Sequence, residues 1–139
     1  MSTQKNDLQV KNVMLDTDSF AVIGERTILK EALESMNESR LGIVCIVDSQ
    51  KKLKGIITDG DIRRMLLTVQ KPFSAFFVDD SITHAIQEPV TVKENDLLTD
   101  AIAIMGDKQI WDLPAVDENN KLVGLVHLHP AVKLLLDLK

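Results

Sequence analysis

The stretch GIITDGDIRR, residues 55–64, gathers two aspartates and two arginines around Gly60, directly behind an apolar run. Asp59 and Asp61 are close enough to act as a metal-bound carboxylate pair in phosphoryl transfer. No second acidic cluster and no positioned base accompany them, and a pair alone does not make an in-line displacement site. Binding is the other chemistry open to them. Gly55 to Thr58 reads as the end of a strand and Asp59 or Asp61 as the start of a helix, whose unpaired N–H groups and dipole attract phosphate or carboxylate. Thr58 adds a hydroxyl donor. An ionised aspartate only accepts hydrogen bonds, so it repels phosphate but suits a pair of sugar hydroxyls. Asp61 therefore reads as a sugar-hydroxyl ligand, with Asp59 and Gly60 beside it. A plainer reading stands next to this one: Thr-Asp-Gly-Asp is also a good turn and helix cap, where an aspartate gains about 0.3–1 kcal/mol from the dipole. Arg63 and Arg64 sit at the unfavourable end of that dipole, which a nearby anion or acidic partner would explain; a solvated face would explain them too.

The elements that must position these residues occur twice. An ungapped offset of 69 residues lays Gly124 on Gly55. The same offset lays Leu98, Ala101 and Met105 on Leu29, Ala32 and Met36, one stripe of one helix. It also lays VDENNKLVG on VDSQKKLKG. Each half begins with a short strand, 21–23 or 90–92. Thr27 and Asp96 are natural N-caps for helices over about 28–39 and 97–108, whose apolar residues recur at i, i+3, i+4 and i+7. IVCIVD with KGIIT, and LPAVD with VGLVH, predict two hairpins, and DIRRMLL and PAVKLLLDL predict a closing helix for each half. The fold class is α/β (α+β), with two βαββα repeats. The expected division is 8–69 for the first repeat, 70–80 for a connector and 81–139 for the second. A unit of this size buries little of its surface alone, so the two are expected to pack through their sheets as a pseudo-twofold pair with clefts between them. Phe73, Phe76 and Phe77 in the connector read as core anchors or as part of a subunit interface.

Composition narrows the function. The 139 residues are 45% hydrophobic and 27% charged, the balance of one soluble globular domain. Aromatic residues make up 4%, with one Trp and no Tyr, which disfavours base-stacking platforms. A net charge of -5 without a basic block argues against a nucleic-acid partner. No apolar run approaches the roughly 18 residues that span a bilayer, and MSTQKNDLQ lacks a signal-peptide apolar region, so a cytoplasmic protein without membrane contact is expected. Cys45, within IVCIV, reads as a buried structural thiol. His127 and His129 have the spacing of one strand face, but without a Cys or carboxylate pair nearby they predict no metal; His127 is kept as a phosphate contact or cleft-lining residue. His84 reads as a solvated helix residue and Trp111 as a packing residue or one that narrows the second cleft.

The doubled unit together with GIITDGD resembles a tandem CBS domain pair, or Bateman module, over almost the whole chain. LGIVCIVDSQKKLKGIITDGDIRRML and LVGLVHLH are most similar to the regulatory CBS pair of arabinose 5-phosphate isomerases, and TDGDIRR to CBS pairs attached to sugar-nucleotide nucleotidyltransferases. The resemblance implies a non-enzymatic, ligand-sensing homodimer with Thr58 on phosphate and Asp61 on ribose. The implied ligand is AMP, ADP, ATP or a sugar nucleotide in the inter-repeat cleft, with no other cofactor. Ile23, Val44 and Ile46 are expected to form an apolar wall for the base. A sugar-phosphate enzyme, separate or fused, is the implied partner. A purely structural dimerisation module and an excised regulatory part of such an isomerase are the alternatives. At the offset of 69, Thr58 becomes His127 and Asp61 becomes Pro130, which suits a helix's first turn but offers no carboxylate. One competent site and one degenerate copy are expected.

Overall fold

The computed structural model describes residues 7–137 and forms two mixed α/β units. The leading MSTQKN, part of the segment read above for a signal peptide, and the last two residues of the 81–139 repeat lie outside the described residues. The first unit is Asp18–Pro89. It contains β1 (Ala21–Gly24), α1 (Leu29–Ser39), β2 (Ile43–Val47), β3 (Leu53–Thr58), α2 (Asp59–Thr68) and the short α3 (Phe73–Phe77). The second unit joins the residues before Asp18 to those from Val90 onward. Its elements are β4 (Val92–Lys93), α4 (Leu98–Lys108), β5 (Asp112–Val116), β6 (Leu122–His127) and α5 (Leu128–Asp137). Each unit holds a three-stranded sheet, in order β1-β2-β3 or β4-β5-β6, with the first pair parallel and the second antiparallel. No helix among the described residues is long and apolar enough to cross a membrane.

The matched stripes are the core. Leu29, Ala32 and Met36 of α1 bury themselves on Ala21, Val44, Ile46 and Ile57, and Leu98, Ala101 and Met105 of α4 on Val92, Leu113, Ala115 and Val126. The repeated VD turns also have one cause. Asp48 Oδ1 accepts from the N–H groups of Gln50 (2.8 Å) and Lys52 (3.0 Å), and Asp117 Oδ1 from those of Asn119 (2.8 Å) and Lys121 (2.9 Å). Each aspartate thus closes its hairpin, with Lys51 and Asn120 taking the left-handed conformation.

Thr27 and Asp96 do not cap their helices. The N-cap positions are Ile28 and Leu97, without a side-chain bond, because an extended arm supplies the acceptor instead. The Leu29 N–H donates to the Asp79 carbonyl (2.8 Å), and the Leu98 N–H to the Leu8 carbonyl (2.8 Å). Each arm continues through a 3-10 turn, Val10–Asn12 or Ser81–His84, to the open edge of a sheet. There Leu15 and Leu125 exchange both backbone hydrogen bonds (2.8 and 3.0 Å), as Ile86 and Ile56 do (2.9 and 3.0 Å). The arm preceding the first repeat therefore completes the second unit, and the connector that follows α2 completes the first. The arms superpose at an offset of 71, Ile86 on Leu15, rather than 69.

Gly55 and Gly124 are what let the arms approach so closely. A Cβ on Gly55 would lie 2.9 Å from the Ile86 carbonyl oxygen, and one on Gly124 2.8 Å from that of Leu15. The connector is held by more than its backbone. Phe76 is buried in the first core, whereas Phe73 and Phe77 are exposed, so the aromatic trio divides between two roles. His84 is not a solvated helix residue: its Nε2 donates to Asp79 Oδ2 (2.7 Å), its ring meets Phe76 edge-on, and Lys71 Nζ donates to the same oxygen (2.8 Å).

Gly55→Ala forces the arm off its strand and destabilises the protein by about 1–3 kcal/mol in urea denaturation. Gly106→Ala, in α4 with nothing within 4 Å of the added methyl, stabilises it by about 0.5–1 kcal/mol. The Lys71 ammonium, and after it His84, hold the Asp79 carboxyl below its ordinary value. A carboxylate depressed in the folded state stabilises above its unfolded pKa, about 3.9, and that contribution disappears as pH falls through the folded value. Asp79→Asn is expected to flatten the fall of melting temperature below pH 4; an unchanged slope would remove Asp79 from the account.

Candidate functional site

Thr58 ends β3 opposite Ile43, and its extended backbone turns the chain directly into α2. The T-x-x-D spacing then closes a reciprocal cap. Asp61 Oδ2 accepts from the Thr58 N–H (2.9 Å) and from the Thr58 hydroxyl (2.9 Å), while the Asp61 N–H donates to Thr58 Oγ1 (3.3 Å). Asp61 Oδ1 accepts from Arg64 Nη2 at 2.8 Å. The cap reading and the binding reading thus fall on the same two residues, and the acidic partner of Arg64 is Asp61 itself.

Asp59 is exposed and positioned by a glycine. Its N–H donates to the Gly42 carbonyl (3.0 Å), and its carboxylate lies against the Gly42 backbone, where any Cβ would sit 2.5 Å from Oδ2. Gly60 lies under the Arg64 guanidinium, with 3.2 Å between each Nη and an ideal Cβ. The sequence reading missed the Gly42–Asp59 contact, although its signal was present: in the second half, Trp111 and Leu128 replace Gly42 and Asp59 together.

The proposed apolar wall is not an open surface. Val44 and Ile46 are wholly buried, facing α1 within the first core, and Ile23 is half-buried against that core. Ile46 stands opposite Gly55, three residues or about 10 Å along the strand from the level of Thr58. Alternation puts Ile43 and Cys45 on the other face of β2, and these too are fully buried. The run IVCIV is apolar on both faces, so periodicity gave no sign of which face was which.

The second unit builds something different at the matching place. His127 ends β6 opposite Asp112, and its Nδ1 lies 2.7 Å from Asp112 Oδ1. A carboxylate accepts only, so the imidazole is the donor. His129 is exposed in the first turn of α5, not on a strand face with His127, because the strand ends between them. Among the described residues no group of three or more potential ligands gathers in a way that could hold a metal ion. Trp111 is 69% exposed and so packs into no core; the Leu128 N–H donates to its carbonyl (2.9 Å), as Asp59 does to Gly42.

The first unit also has an open hollow of about 510 Å³ beyond the carboxyl ends of β1 and β2, lined in part by Gly24, Arg26, Thr27, Glu31 and Ser49. It lies at the opposite end of the sheet from Thr58. In the second unit Lys93 stands where Gly24 does and donates to the Asp117 carbonyl (3.3 Å). The hollow is broad, and half of the residues that line it are charged. The α2 terminus, by contrast, joins a hydroxyl and a nearly buried carboxylate in one turn, each bonded to the other.

The CBS domain family model matches residues 10–68 and 78–129. An uncharacterized protein of Helicobacter pylori strain J99 is 33% identical over 123 residues, 87% of this chain and 36% of that protein. Arabinose 5-phosphate isomerase GutQ of Escherichia coli K12 is 28% identical over 125 residues, 86% of this chain and 36% of that one. The chain thus spans little more than a third of the length of these curated relatives. Among solved structures, CBSX2 in complex with AMP superposes with a TM-score of 0.81 at 23% identity, covering 93% of this chain and 96% of that one; the likeness is one of fold.

Proposed function

Because the chain belongs to the CBS domain family, matched twice in tandem, we propose that it is a regulatory ligand-sensing module, not a catalyst, and that its first unit binds a nucleotide at the start of α2. One observation carries this reading: the Thr58–Asp61 turn is intact in the first unit, and its copy has His127 and Pro130 instead. The positive end of the α2 dipole, with the Thr58 hydroxyl once it turns from Asp61, suits phosphate, and the carboxylate of Asp61 suits ribose hydroxyls. AMP on CBSX2 and the sugar-phosphate activity in the name of GutQ support an adenine nucleotide or a sugar nucleotide as the class, and an enzyme of sugar-phosphate metabolism as the partner.

A thermal-shift series with AMP, ADP, ATP and UDP-glucose tests it. A ligand at about 100 times its Kd adds about 2.7 kcal/mol of stability, a shift of several degrees. Asp61→Ala is expected to abolish that shift. Failure of all four to move the wild type at millimolar concentration would sink the reading.

A homodimer is the second part of the proposal. Leu66 and Leu67 of α2, and Val132 and Leu136 of α5, leave large apolar side chains exposed on helices otherwise well formed. Closed twofold pairing is the usual way to cover such faces. Sedimentation at high protein concentration is expected to give a dimer that Leu67→Glu weakens; a strict monomer would exclude it.

A further inference from the structure

Both carboxylate oxygens of Asp61 are engaged inside α2: Oδ2 by the Thr58 cap and Oδ1 by Arg64. Only the second engagement is easily surrendered. Asp61 is nearly buried, its side chain 12% exposed, and its cap bonds hold the helix start together. The Arg64 side chain is 61% exposed and lies on the backbone of Gly60, where no side chain intervenes. A ligand hydroxyl that reaches Asp61 therefore competes with Arg64 for Oδ1, the oxygen not committed to the cap. The displaced guanidinium is already in place for a second task. A phosphate set on the first turn of α2 meets the charges of Asp59 and Asp61, and a guanidinium pairs with phosphate bidentately.

We propose that Arg64 is a latch on this site: it holds Asp61 Oδ1 until a ribose hydroxyl takes that oxygen, and then closes on the phosphate of the same ligand. The inference rests on the α2 terminus being the nucleotide site. It makes Arg64 the residue that distinguishes a nucleotide from a nucleoside. The second unit has no counterpart, since the offset of 69 places Pro130 and Lys133 at these two positions and leaves the cation no carboxylate to hold.

Titration calorimetry of the full chain with two probe pairs, AMP with adenosine and UMP with uridine, tests the latch. In Arg64→Ala the nucleoside is expected to bind about twofold more tightly, since a weak exposed ion pair no longer competes. The nucleotide is expected to bind at least about tenfold more weakly, having lost a charge-assisted contact. Arg64→Lys, which keeps the charge, recovers part of the preference for phosphate, and a merely disturbed helix would not give that recovery. If the wild type binds a nucleotide and Arg64→Ala shifts nucleotide and nucleoside affinity by the same factor, the latch is overturned and the site stands. If neither pair binds the wild type at millimolar concentration, the site falls, and the latch with it.

Discussion

Everything in this fold depends on an arm of backbone laid across each unit from a helix start to a sheet edge. A three-stranded sheet leaves its outer strand with unpaired N–H and C=O groups, and a helix leaves its first N–H groups unpaired. One extended segment answers both needs in each unit, donating and accepting at Ile56 or Leu125 and capping Leu29 or Leu98. The glycines at 55 and 124 belong to this arrangement. Their conspicuous match across the repeat records a close approach of two backbones.

The duplicated unit has diverged where its third strand meets the following helix. In the first unit a glycine makes room for a carboxylate, Gly42 beneath Asp59, and the next turn carries a threonine and a second carboxylate. In the second, Trp111, Leu128, His127 and Pro130 occupy those places, and the strand pair is closed by the Asp112–His127 contact. The changes are correlated. A tryptophan at the first position leaves no bed for the carboxylate, and a proline at the last cannot reproduce the reciprocal cap. The two copies share a scaffold and differ in what that scaffold presents.

Much of this was legible in the sequence because repetition doubled each signal. The helical stripes and the hairpins follow from spacing alone, and the matched VD segments fall where both hairpins turn. The helix caps were misread because Thr27 and Asp96 are good cap residues locally, while the acceptor comes from a distant backbone carbonyl that no side-chain pattern announces. Val44 and Ile46 were misplaced because a strand buried on both faces has no alternation to read. His84 and Asp112 owe their roles to partners brought near by the fold, His84 by the 3-10 turn and Asp112 by strand register.

The crossing of the arms also sets an order in time. A ribosome delivers the chain from its N-terminus, at about 5–20 residues per second. The first unit can close as soon as Ile86 emerges, with all its parts contiguous. Leu8 and Val10, both buried in the finished protein, have no place to go until Leu98 and Leu125 have been made. These apolar residues are thus made before the first unit and meet their partners only after it. The second unit is finished by a segment that precedes the whole of the first in the chain.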